Sequence, residues 1–335
     1  MSTSQHDARA DRLWVPLLTQ YRRQGGAVEI DPDRTAAHLS FIRPWVGQFL
    51  LAGSTGDGWE MSLEQLLVLV RLTSRRDLFE GSRFLVGALR PTTEGVVEWA
   101  RAIESTLDEM RTTAGEFRGL AVCPPVDANA SQSDIVTHYE RVLAETRSDI
   151  AVYQLPQVTH CSIEPDTMRS LVGNPRITMF KDTSGSDAVA LSGFTGPLMV
   201  RGAEGGYVDN LKPSGLYDGW LLSTGNAFGS QLRRMIDLLD AGRQEEAKAV
   251  SRVLTVVVNE MFQAAGKLPF GNPFSNANRA VDHLWAHGAG WADAPAPLTI
   301  SGNEIPRELL EAASDIVGRF PTLPERGYLG RGSDR

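Results

Sequence analysis

Four lysines occur in the chain, and they are not placed alike. Lys212 precedes Pro213, Lys248 follows Glu245 and Glu246, and Lys267 follows Gly266, all settings compatible with solvent. Lys181 ends the apolar run Ile177-Thr178-Met179-Phe180 and is followed by Asp182-Thr183-Ser184-Gly185. Desolvation disfavours an ammonium, so a lysine among apolar neighbours loses proton affinity. A neutral amine is the nucleophile that forms a Schiff base with a carbonyl compound. The ordinary fate of such a lysine is an ion pair with an acid. Asp182 is adjacent, but in a regular strand it points to the opposite face.

Further residues with chemistry stand at the ends of other apolar runs. Gly53-Ser54-Thr55-Gly56-Asp57-Gly58 lacks the Gly-Lys-Ser/Thr ending of a nucleotide phosphate loop. Its hydroxyls and N–H groups, with a helix starting soon after, suit a small carboxylate; otherwise it is a plain strand-to-helix turn. Tyr153, before Pro156, reads alone as a core aromatic, and beside a lysine as a proton-transfer group. The last run leads into Ser223-Thr224-Gly225-Asn226.

The elements that must carry these residues alternate. Strand-like runs are expected at Leu13–Leu18, Gln48–Ala52, Arg83–Leu89, Gly119–Cys123, Ile150–Leu155, Ile177–Lys181, Leu198–Arg201 and Trp220–Leu222. Several are apolar at successive positions, as in parallel strands buried on both faces. Between them, helices are expected from Ser62 to Leu78, from Thr93 to Thr113, from Ser133 or Asp134 to Arg147, and from Pro165 to Leu171. Eight alternations over roughly 220 residues fit an α/β fold of the (β/α)8 TIM barrel type; a doubly wound sheet is the competing architecture. After Phe228 only helices are expected, over Gln231–Leu239, Gln244–Gln263, Asn276–His287 and Pro306–Phe320, giving a C-terminal helical extension. The domain reading is a loose N-terminus over 1–12, a barrel over 13–228, a helical segment over 229–323 and a loose tail over 324–335.

A net charge of −8 and a pI near 5.4 argue against nucleic acid as a partner. No apolar run approaches a membrane span and the first residues lack an apolar signal core, so no membrane partner and a cytoplasmic location are expected. Cys123 and Cys161 have no metal-type spacing and read as reduced thiols.

The ordered motifs carry a resemblance that runs from about Leu13 into the helical extension. Gly53-Ser54-Thr55-Gly56-Asp57, Tyr153-Gln154-Leu155-Pro156, Phe180-Lys181-Asp182-Thr183-Ser184-Gly185 and Gly219–Asn226 resemble, in order, the signature segments of the dihydrodipicolinate synthase / N-acetylneuraminate lyase superfamily of class I aldolases. The resemblance implies that Lys181 forms an iminium with pyruvate or a similar keto acid. It implies Ser54 and Thr55 as the carboxylate site, Tyr153 as general acid/base with Thr55 a relay partner, and Leu221 lining the pyruvate pocket. It also implies an aldehyde co-substrate, no metal or organic cofactor, and a homo-oligomer, a tetramer or a dimer. Two departures matter. Cys123-Pro124-Pro125-Val126 stands where synthases carry a tyrosine shared between subunits, and Val158 where they carry an arginine for the second substrate's carboxylate. These departures point away from the lysine-biosynthetic reaction. Dehydration or decarboxylation of a sugar acid, and a non-catalytic keto-acid-binding barrel, are the alternatives.

Four other features are weighed against plain roles. His283 and His287, spaced i, i+4, read as solvated or capping residues before metal ligands. His160 reads as a loop residue, and Cys123 as a packed thiol. Arg201 and Glu204 suit a structural ion pair and a second-substrate pocket equally.

Overall fold

A computed structural model describes residues 12–319 and 323–330. Ten strands run β1 (Leu13–Pro16), β2 (Tyr21–Gln24), β3 (Ala27–Ile30), β4 (Gln48–Leu51), β5 (Arg83–Gly87), β6 (Glu116–Val122), β7 (Ile150–Gln154), β8 (Ile177–Asp182), β9 (Leu198–Arg201) and β10 (Gly219–Leu221). Eight of them close into a parallel barrel in the order β1-β10-β9-β8-β7-β6-β5-β4. The fold is thus the expected (β/α)8 barrel, and the expected apolar runs supply its staves. β2 and β3 form an antiparallel hairpin that the apolar pattern does not announce. It turns at Gly25-Gly26, both with positive φ, a dipeptide suited to tight hairpin turns.

The first half of the helices comprises α1 (Pro32–Ile42), α2 (Leu63–Leu72), α3 (Arg76–Phe79), α4 (Thr93–Met110), α5 (Gln132–Glu145), α6 (Pro156–Thr159) and α7 (Pro165–Leu171). The second half is α8 (Ala188–Leu191), α9 (Tyr207–Asn210), α10 (Gly225–Asp240), α11 (Gln244–Ala265), α12 (Pro273–His287) and α13 (Arg307–Val317). Ser62 caps α2 in a capping box with Gln65, as its position suggested. The run to Leu78 is broken into α2 and α3 by a turn after Leu72. The cap of α5 is Ser131, earlier than expected, and Asp134 is its reciprocal partner. α10 crosses the boundary assumed at Phe228, with a kink at that residue.

Most of the expected loose N-terminus lies outside the described residues. Arg12 is tied down, its guanidinium meeting Asp240 at 2.9 Å and the Lys212 carbonyl at 2.8 Å. Of the tail expected to be loose over 324–335, residues 324–330 are described, and they are tied down. Tyr328 N and Leu329 N donate to the Trp285 and Ala286 carbonyls, and the Tyr328 hydroxyl reaches Asp282 at 2.7 Å.

Alternation along the staves sorts their side chains. Trp14, Leu50, Leu85, Ala121, Ala151, Met179, Val200 and Leu221 fill the barrel interior as a buried cluster. Above it sit Leu89, Cys123, Tyr153 and Leu155. Met179 and Lys181, two residues apart, share the inner face of β8.

Candidate active site

Parallel pairing puts Tyr153 of β7 directly beside Lys181 of β8. Both are nearly sealed, at 2% and 4% exposure. The Lys181 Nζ lies 3.7 Å from the centroid of the Tyr153 ring. Among the described residues no carboxylate forms an ion pair with it. Asp182 faces outward, where it accepts from the Ser184 N–H at 2.8 Å, the Tyr217 hydroxyl at 3.1 Å and Gln154 Nε2 at 3.3 Å. Burial lowers the Lys181 amine to about 7, with Cys123 and Glu204 acting weakly in the opposite direction. Gly202 of the β9 end lets the lysine stem pass, since a Cβ there would press on Lys181 Cε.

The turn after β4 forms the facing wall. Ser54–Gly56 makes one 3₁₀ turn, and Asp57 follows in the left-handed region at φ 62°. Gly58 is obligatory, because any Cβ there would overlap the Ala52 carbonyl. Asp57 is anchored from outside the site. It forms a buried ion pair with Arg279 of α12 and accepts from the Tyr21 hydroxyl at 2.9 Å. Ser275, also on α12, donates to the Thr55 carbonyl at 3.0 Å. The helical extension therefore holds this turn in place.

Lys181, Tyr153, Ser54, Thr55 and Leu221 all line one cavity of about 310 Å³ at the C-terminal mouth of the barrel. The N–H groups of Ser54 and Thr55 and the Thr55 hydroxyl donate to no protein acceptor among the described residues. The Tyr153 hydroxyl donates to Ser54 Oγ at 3.4 Å and has the Thr183 side chain beside it, so Ser54 and Thr183, not Thr55, are its hydroxyl neighbours. Burial raises the Tyr153 hydroxyl above the ordinary phenol range, and the Ser54 contact opposes that. Cys123 is buried and its thiol is pushed up by burial, which keeps it protonated.

Glu204 enters the cavity wall without Arg201. Its carboxylate accepts from Ser223 Oγ at 2.8 Å, the Thr224 N–H at 3.0 Å, Thr224 Oγ1 at 2.7 Å and the Tyr207 hydroxyl at 3.2 Å. Burial raises its carboxyl against those four donors. Arg201 instead ties its own loop, donating to the Ala203 carbonyl at 2.6 Å and the Gly205 carbonyl at 3.1 Å. His160 is exposed and caps α6 from the left-handed region. His283 is buried against the Trp291 carbonyl at 2.8 Å, not solvated, and no metal-binding cluster occurs among the described residues.

The outer cavity came from residues that the motifs did not name. Asn259 and Phe262 of α11 and Asn272 and Phe274 at the start of α12 close it opposite Val158. Phe262 and Phe274 meet edge to face at 4.7 Å. No sequence signal tied this appendix to the site, since only tertiary packing brings it over the mouth.

A family model described as "Dihydrodipicolinate synthetase family" matches residues 10–271. The chain belongs to the dihydrodipicolinate synthetase family. Among curated relatives, the 4-hydroxy-tetrahydrodipicolinate synthase of Corynebacterium diphtheriae is 26% identical over 255 residues, 75% of this chain and 80% of that one. Among solved structures, CdNal from Clostridium difficile in complex with mannosamine superposes with TM-score 0.74 at 15% identity, over 92% of this chain and 99% of that one. KD(P)GA from T. tenax gives TM-score 0.71 at 20% identity, over 92% and 98%. At these identities the structural matches speak for the family's fold.

Proposed function

We propose that this chain is a Schiff-base-forming aldolase or lyase that joins pyruvate, or a similar 2-keto acid, to an aldehyde or reverses that step. One observation carries the reading: a buried lysine with no ion-pair partner among the described residues, its amine lowered to about 7, beside a tyrosine in the cavity at the barrel mouth. The Ser54 and Thr55 N–H groups and the Thr55 hydroxyl are donors suited to the keto-acid carboxylate.

In this reading the neutral Lys181 amine adds to the keto carbon, and the amine proton passes to the new oxygen. Tyr153 gives its proton to that hydroxyl, water leaves, and a phenolate remains beside the iminium. The phenolate then takes a proton from the adjacent methyl carbon, giving the enamine and restoring Tyr153. Attack of the enamine on an aldehyde carbon forms the new bond while the aldehyde oxygen takes the Tyr153 proton; water then adds to the iminium, Tyr153 recovers a proton from it, and Lys181 leaves as the amine.

The aldehyde is proposed to be neutral or sugar-like. Among the described residues that line the cavity Lys181 is the one cationic side chain, and the lining includes the amides of Gln157, Asn259 and Asn272 with Val158, Phe262 and Phe274. A carboxylate-bearing aldehyde would lack a charged partner there. Glu204, whose carboxyl is raised by burial, favours a second reading in which the same imine serves dehydration of a sugar acid.

Borohydride reduction in the presence of pyruvate tests the shared step. Mass spectrometry is expected to find the adduct on Lys181 and none in Lys181→Ala. A folded wild-type protein that gives no adduct would sink the reading. An aldehyde panel scored for carbon–carbon bond formation, set against release of water from sugar acids, separates the two reactions.

A further inference from the structure

Gln157, Thr183, Glu204, Ser223 and Asn272 put polar side chains on the cavity wall, and the chain itself already engages them. Glu204 receives two donors on each carboxylate oxygen: Ser223 Oγ and the Thr224 N–H on one, Thr224 Oγ1 and the Tyr207 hydroxyl on the other. Four donors fill the lone-pair positions of a carboxylate, so Glu204 has none left for a substrate hydroxyl. The single hydroxyl hydrogen of Ser223 is used in that set. Gln157 Nε2 donates to the Thr183 carbonyl at 2.9 Å. Asn272 Oδ1 accepts from the Phe274 N–H at 2.9 Å as the cap of α12, and its Nδ2 reaches toward the Ser54 carbonyl at 3.5 Å. The Thr183 hydroxyl stands beside that of Tyr153.

What the outer wall presents freely is carbon. Leu155, Val158, Phe262 and Phe274 all line the cavity. The two phenyl rings meet edge to face at 88°, with centroids 4.7 Å apart, which makes a corner of one ring face and one ring edge. Phe274 is 43% exposed although it lines the cavity. A ring left that open at a binding mouth gains when an apolar body covers it.

We propose that the second substrate is an aldehyde with a flat, apolar body, of the aryl class, and that Phe262 and Phe274 select it. The inference rests on the imine reading and narrows its aldehyde: between a neutral and a sugar-like body, it assigns the neutral one. A flat ring can lie in the corner of the phenylalanine pair. A polyhydroxylated chain in the same place sets its hydroxyls against Leu155, Val158 and two phenyl rings, and leaves water for few partners. The exposed Asn259 adds one amide, against the several hydroxyls of a sugar chain. In the condensation the enamine carbon bonds to the aldehyde carbon, the carbonyl electron pair moves to its oxygen, and that oxygen takes the Tyr153 proton. The water released in forming the imine is taken up again in its hydrolysis. Pyruvate and aldehyde thus combine one to one, giving a 4-hydroxy-2-keto acid with the ring on its fourth carbon.

The test uses the full chain with pyruvate and either benzaldehyde or D-erythrose, and follows the condensation product by mass spectrometry. The value of kcat/KM is expected to be roughly a hundredfold higher with benzaldehyde, the scale on which apolar pockets and unpaired polar groups discriminate. The ratio of the two values is measured within one preparation, so that the amount of active protein cancels. It is expected to fall about tenfold in Phe274→Asn, the size of one aromatic contact. Phe262→Asn is expected to move the ratio the same way, and Phe274→Asn, at the more exposed ring, decides if the Phe262 variant does not fold. A wild-type ratio near or below one, a ratio unmoved by Phe274→Asn, or condensation with neither aldehyde overturns the inference. Borohydride trapping of pyruvate on Lys181 in those cases leaves the imine reading standing, whereas absence of trapping removes that reading itself.

Discussion

At the scale of single residues, the Lys181 amine governs both reactivity and a part of stability. Because its pKa in the fold is about 7, the unprotonated nucleophile accumulates as pH rises through that value. The initial rate of pyruvate trapping is expected to climb across pH 6 to 8 and then level, which stopped reduction at a series of pH values will show. The stability effect has the same direction. Between about 7 and the ordinary lysine value of 10.5 the unfolded chain binds more protons at this residue than the folded one, so stability rises with pH across that window. Below about 7 both states are charged, and the folded state carries the full burden of a buried ammonium. Lys181→Met removes this burden, so its Tm advantage over the wild type is expected to shrink from pH 6 to pH 10. The position of this lysine was legible because the other three sit in polar or turn-forming stretches. The direction of Asp182 was equally legible, since a strand alternates. Which charged residue would enter the pocket was not: Arg201 and Glu204 are near neighbours in sequence, and only the path of the β9 loop separates them.

At the scale of elements, the turn after β4 is held by contacts that lie far away in sequence. Gly58→Ala forces a side chain against the Ala52 carbonyl, so it is expected to abolish pyruvate trapping even where the barrel still forms, as circular dichroism will report. The end of α12 is fixed by Asp282, which is buried and meets Arg34 at 2.6 Å, His38 at 2.7 Å, Gln20 at 2.9 Å and the Tyr328 hydroxyl at 2.7 Å. Arg34 and His38 hold its carboxyl well below the usual carboxylate range despite burial. Its contribution to stability is therefore present at neutral pH and is lost only in strong acid. Asp282→Asn leaves a buried guanidinium without its counter-charge and is expected to cost about 3–5 kcal/mol by denaturant titration. Tyr328→Phe removes two hydrogen bonds, one to Asp282 and one from Arg34, and should cost about 1–3 kcal/mol. The staves and long helices were readable from apolar periodicity and caps. The hairpin of β2 and β3 was not, because β2 is polar after Tyr21 and Val28 and Ile30 alone make too short an alternation on β3, although Gly25-Gly26 marked its turn. The docking of the tail was also hidden, because a single tyrosine among polar residues gives no pattern.

At the scale of the whole molecule, barrel and helical extension are one working unit. α11 and α12 supply Asn259, Phe262, Asn272 and Phe274 to the cavity, and Arg279 and Ser275 to the support of its facing wall. A chain ended after Asp240 keeps all eight staves but loses those supports. It is expected to give no Lys181 adduct with pyruvate, and to expose enough apolar surface to bind the dye ANS. The lysine distribution has a practical consequence at this scale. Lys212 and Lys248 lie against Asp218 and Glu245 near the surface and Lys267 is exposed, whereas Lys181 lines the cavity. A small acylating reagent able to enter the mouth would thus meet there one lysine, whose amine burial lowers to about 7. A tag on Lys181 would sit inside the cavity, and protection from tagging by a ligand added beforehand would report which compounds enter.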